Sequence, residues 1–142
     1  MGFFSSLFSN KAKVSYDQKV LEYITIFKDA SLAMVTKDLI KSDDNKMKMY
    51  MYFFGVIDYV AQHNNISDSE TIAILKAFLM NELNVPSDKV RYIANELMDN
   101  TTNEYYMEYM VIGGNAISAW ANGDSFAPMK LLDILNPISK DI

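Results

Sequence analysis

The chain has no cysteine and a single histidine, His63. Without thiols it has no disulfide framework, no thiolate nucleophile and no Cys-ligated zinc. With one imidazole, a zinc site built from several nitrogen ligands is excluded, and His63 beside Asn64 reads as a cation suited to the partial negative charge of a helix C-terminus. Basic residues are also scarce. There is one arginine, Arg91, the lysines are scattered, and the formal charge is −5, with an isoelectric point near 4.7. Such a chain repels a phosphate backbone, so nucleic acid is not an expected partner and a basic protein surface is the electrostatic complement.

Long hydrophobic runs are missing too. The densest one, MYMYFFGVIDYVA, is interrupted by Asp58 and falls short of the ~20 residues that cross a bilayer. No glycine-rich phosphate loop is present: Gly113-Gly114 has no lysine partner and falls inside a helical pattern, where backbone amides are already bonded. No serine stands in a nucleophile-elbow pattern. These absences point to a protein that is not an enzyme and takes no cofactor, and no catalytic or metal residue is assigned.

What is present is apolar. Half of the 142 residues are hydrophobic and 13% are aromatic, which is ample for one core, since a chain of this length buries roughly 70% of its unfolded surface. The periodicity is helical almost throughout, and no stretch alternates long enough to compete as a strand. The expected fold is all-α, a single-domain bundle of about five to seven helices spanning 13–142, preceded by an amphipathic leader at 1–12.

Ser15 with Gln18 reads as a capping box opening a first helix to about Ile40, with Val20, Ile24, Phe27, Met34 and Val35 inward and a break near Asp29–Ser31. Asp43 or Asp44 caps the second, whose stripes Met47/Met51/Phe54/Ile57/Ala61 and Met49/Phe53/Val56/Val60 make it central. Ser67 and Glu70 form a box before a third helix carrying Ile72, Leu75, Phe78, Leu79 and Leu83 to about Asn84. After Pro86, Ser87 caps a short helix with Val90, Ile93, Ala94 and Leu97 inward. Thr101 and Glu104 box a long helix to Trp120, with Tyr105, Tyr109, Ile112 and Ala116 on one face and Tyr106, Met110, Gly113, Ile117 and Trp120 on the next. Its paired glycines, costly in a helix, imply close approach of another backbone. Asn122-Gly123 ends it, and a last helix with Pro128 in its first turn presents Met129, Leu132 and Leu135 before Asn136-Pro137 stops it.

Two junctions echo one another. In AQHNNISDSETIAIL and AWANGDSFAPMKLL, an alanine-bearing helix end runs into Asn-Asn or Asn-Gly and then a serine. Shared turn physics is favoured over duplication as the cause. The stretch from Val56 to Leu135 resembles the TerB-like bacterial helical bundles of the tellurite-resistance type, through Ala61, Asn64-Asn65, Ile66-Ser67 and Glu70, and again through Ala121, Asn122-Gly123 and Asp124. The family's first aspartate and the glycine after it are Asn64 and Asn65 here, and Pro128 replaces an acid at the second junction. The resemblance implies a bacterial module of stress response, phage defence or membrane-associated complexes, without established catalysis. The acid pairs Asp43-Asp44, Asp68-Glu70 and Asp99-Glu104 sit at helix starts, where capping explains them better than coordination.

The Met/Tyr-rich segments MKMYMYFF and EYYMEYM suit a core with a few hydroxyls reaching water, or an adaptable contact surface. On the second reading Tyr52, Tyr59 and Tyr106 line an apolar groove for a helix or a second subunit. The opening MGFFSSLFSN places Phe3, Phe4, Leu7 and Phe8 on one side of a short helix, with Lys11 and Lys13 behind. Gly2 and Ser6 formally match a myristoylation pattern, which the resemblance to bacterial proteins discounts. Docking of this segment on protein ranks first, contact with an anionic membrane second, and disorder third. The expected function is therefore a non-enzymatic interaction module with an apolar groove and an acidic rim. It would be cytoplasmic, with peripheral contact at the inner membrane and a homodimer both allowed. An acidic inhibitor of a basic toxin or nuclease is the alternative, and a carboxylate metal-binding stress protein the third.

Overall fold

The computed structural model describes residues 11–137, with side chains from Gln18 onward. Six α-helices follow in order: α1 (Lys11–Leu32), α2 (Asp43–His63), α3 (Asp68–Asn81), α4 (Val90–Asp99), α5 (Glu104–Ala121) and α6 (Lys130–Leu135). Short 3-10 turns cover Lys37–Ile40, Asn100–Thr102 and Ala127–Met129, and no strand occurs among the described residues. The all-helical fold expected from the periodicity is what forms.

Helix α2 is the axis. Ten of its residues are buried, including an unbroken run from Met51 to Ile57, because neighbours cover it on several sides: α1, α3, α4, α5 and α6 all pack against it. The longest interface is with α5. Gly55 of α2 and Gly113 of α5 set its depth, since a methyl group on Gly55 would land on the Met110 carbonyl and one on Gly113 on that of Tyr52. Around this crossing runs a chain of rings. Tyr23 and Phe27 of α1 each meet Trp120 at 5.1 Å, Phe27 stacks on Tyr52 at 6.3 Å, Tyr52 meets Phe53 edge-on at 5.1 Å, and Phe53 meets Phe78 of α3 at 5.4 Å. Each such pair adds about 0.5–1.5 kcal/mol beyond the area it buries.

Local chemistry sets the helix ends. Ser67 accepts from the Glu70 amide while Glu70 reaches back to the Ser67 amide, so the expected capping box is complete. Ser42, not Asp43 or Asp44, caps α2 by accepting from the Asn45 amide. Asn103 caps α5 in place of Thr101, whose hydroxyl bonds back to the Met98 carbonyl. Lys89 occupies the cap position of α4 in place of Ser87, with no side-chain cap bond. Helix α1 is under way at Lys11, before Ser15, runs through Asp29–Ser31 and stops at Leu32, so Met34 ends up 63% exposed. In α6 the buried leucines are Leu131 and Leu135 rather than Leu132.

The echoing junctions close alike. After α2, Asn65 takes a φ of 57° while the Ile66 amide bonds the Ala61 carbonyl; after α5, Gly123 takes 104° while the Asp124 amide bonds that of Ala119. These are the left-handed helix terminations expected of Asn and Gly. A third positive φ, 58° at Asn84, turns the chain from α3 toward α4, which places α4 alongside the first half of α2.

Candidate partner-binding surface

A polar and aromatic cluster joins the first turns of α2 and α5. Tyr106 donates from its hydroxyl to Asp44 Oδ1 at 2.8 Å, and Tyr105 to Oδ2 at 3.1 Å. Lys48, one turn after Asp44, lies 3.4 Å from the same carboxylate, and its Nζ stands 5.7 and 5.3 Å from the ring centres of Tyr105 and Tyr109. Burial works to raise the pKa of Asp44, but the two tyrosine hydroxyls and the Lys48 charge outweigh it and hold the carboxyl below its ordinary value. For Tyr106, burial first and then the bonded carboxylate push the hydroxyl up to about 12. Desolvation opposes the charge of Lys48, yet its tyrosine and Asp44 contacts win and its pKa is raised. This arrangement ties two helix starts together.

The cluster forms a wall between two grooves. On one side a groove of about 880 Å³ has a floor of Tyr109, Ile112, Ala116 and Ile134. Its rim is mixed: Lys48 and Lys130 face Glu108, Asp124 and Asp133, and Asp124 is occupied capping the Phe126 amide. On the other side a groove of about 700 Å³ runs between α2 and α4. Its floor is Met47 and Tyr50 of α2, Val85 of the connecting loop and Ile93 of α4; its rim carries Asp43, Asp44, Asp88 and Glu96 against Lys46 and Lys89. Apart from Asp44, none of these charges makes an ion pair among the described residues. Tyr92, on the α4 edge, is 69% exposed.

The tyrosines singled out in the sequence are dispersed. Tyr106 lines the α2/α4 groove. Tyr59 lies elsewhere, half-buried, donating to Ser118 Oγ at 3.1 Å and stacked on His63 at 4.0 Å. Tyr52 is a correction: it is fully buried, bonded to Ser31 and stacked on Phe27, so it builds the core and not a groove, because α1 covers the face that periodicity alone left open. Phe3, Phe4, Leu7 and Phe8 lie outside the described residues. Missed from the sequence were Tyr50, Asp88, Tyr92 and Glu96. The signal for the α4 residues was weak: positions 89, 92, 93, 96 and 100 form one helical face, but only knowledge of what packs beside α4 makes that face a groove wall.

His63, expected at a helix end, does sit in the last turn of α2 with Nδ1 2.9 Å from the Tyr59 carbonyl. Among the described residues no three His, Asp or Glu side chains come together as metal ligands, and no helix is long and apolar enough to cross a membrane. No family model, curated protein or solved structure matches this chain.

Proposed function

We propose that this protein is a non-enzymatic helical interaction module that receives a segment of a partner protein in the groove between α2 and α4. The observation that carries the reading is one surface combining an apolar floor, an exposed aromatic edge at Tyr92, and carboxylates at Asp43, Asp88 and Glu96 that form no ion pair among the described residues. Interface anchors are typically aromatic residues beside a pocket, ringed by polar groups. Methionine at the floor suits the role, because its flexible thioether adapts to different guest side chains. The larger groove has no exposed aromatic side chain among its lining residues, which makes it the weaker candidate. The TerB-like resemblance is proposed on the same footing, as pointing to a bacterial stress-response or membrane-associated assembly.

A photo-crosslinking residue at position 92 of the full chain should capture one discrete protein in cell extract, and Ile93→Asp should abolish the adduct. The control is position 126, where Phe126 is the most exposed large apolar side chain among the described residues and lies outside the groove. Equal capture from both positions would mean general stickiness and would reject the reading.

A further inference from the structure

Resting on that reading, we infer that the guest of the α2/α4 groove is a cationic amphipathic helix of a partner protein. Both walls are helices, and each presents a stripe to the gap: Asp43, Met47 and Tyr50 on α2, Lys89, Ile93, Glu96 and Asn100 on α4. From Lys89 to Asn100 the α4 wall is about 16 Å long at 1.5 Å per residue, room for a guest of about three turns. The floor offers side-chain surface rather than a free strand edge, since the described residues contain no strand. A guest must therefore arrive with its own backbone hydrogen bonds satisfied, and a helix does so.

Charge selects the sign. Asp43 at one end of the α2 stripe, with Asp88 and Glu96 on the loop and α4 side, form no ion pair among the described residues. Two lysines stand in the same rim, so the excess is acidic but modest. Lysine or arginine side chains flanking a guest's apolar stripe would reach these carboxylates, and the stem of each would cover Tyr92 or Tyr50. A polyanionic guest would meet a net repulsion from this rim.

The test uses two synthetic helical peptides of about three turns, each with leucine along one face; one carries lysine at every polar position and the other glutamate. Binding to the full chain is read by fluorescence anisotropy. The lysine peptide should bind saturably, and the double variant Asp88→Lys, Glu96→Lys should weaken it about tenfold. Reversal of two carboxylates elsewhere, Asp58→Lys with Asp133→Lys, should leave it nearly unchanged. Tyr92→Ala, at an exposed position that folding does not need, should weaken it several-fold. If the distant reversals act as strongly as the groove reversals, the attraction belongs to net charge and the inference fails. If both peptides bind equally and Ile93→Asp abolishes both, the cationic guest is overturned while the groove stands. No binding by either peptide also overturns it. Self-association of the protein alone, lost in Ile93→Asp at unchanged helicity, would assign the groove to a second copy instead.

Discussion

Gly55 of α2 lies against the Met110 carbonyl of α5 and Gly113 of α5 against the Tyr52 carbonyl of α2, so a side chain on either glycine would strike the other helix's backbone. Gly114, next in sequence, is different: a methyl group there would sit 3.5 Å from the Gly55 carbonyl, an ordinary contact. Gly55→Ala and Gly113→Ala should therefore force the α2/α5 crossing open and destabilise by about 1–3 kcal/mol or more, as overpacked cores do. Gly114→Ala should be neutral or stabilise by up to about 1 kcal/mol through helix propensity. Thermal or urea unfolding of the three variants checks the contrast; equal losses at all three would refute the close-approach explanation.

Ser31 and Tyr52 share a buried hydroxyl contact of 3.4 Å. Tyr52→Phe leaves the Ser31 hydroxyl without that partner in a site only 2% exposed, which should cost about 1–3 kcal/mol. Adding Ser31→Ala should recover part of the loss, because no orphaned group remains. A double-mutant cycle by denaturant unfolding measures the coupling, and strict additivity would count against it.

Asp44 predicts an acid-side dependence. Its folded pKa lies below the ordinary 3.8, so between the two values the unfolded chain binds more protons and stability rises with pH. The contribution is present above the ordinary carboxylate value and is lost as pH falls through the folded one. Asp44→Asn should flatten this part of the acid-unfolding curve. Because the Asp44 side chain is 47% exposed, solvent screening limits the neutral-pH loss to about 1 kcal/mol. An unchanged acid profile in the variant would contradict the assignment.

On the alkaline side the sign reverses. Tyr52, through burial, and Tyr106, through burial and its bond to Asp44, both have pKa values raised from 10.0 to about 12. Their stabilisation is complete below 10.0 and is lost as pH rises through the folded values. Tyrosinate absorbance of the folded protein should show a late-ionising fraction. Tyr106→Phe should remove part of it without unfolding the chain.

Much of the fold was legible from residue pattern because helix formation and termination are local. The Ser67/Glu70 box, the Asn-Asn and Asn-Gly stops and the two-sided apolar face of α2 all depend on neighbours within a few positions, and all are present in the structure. Errors arose where several local solutions were equivalent. Ser42 and Asp43 are both good caps, as are Thr101 and Asn103, and the choice follows the path of the preceding loop.

By itself the sequence determined that the chain is helical, acidic on balance, devoid of thiol chemistry, and organised around α2, since composition and the 3.6-residue period are carried by the chain before it folds. Only the tertiary structure decided which tyrosines are walls, core or surface. Tyr52 is sealed by α1, Tyr106 is turned to Asp44 across 62 positions, and Tyr92 is left outside. Periodicity places a side chain on a face of its own helix, whereas the groove between α2 and α4 exists because the turn at Asn84 brings two distant faces side by side.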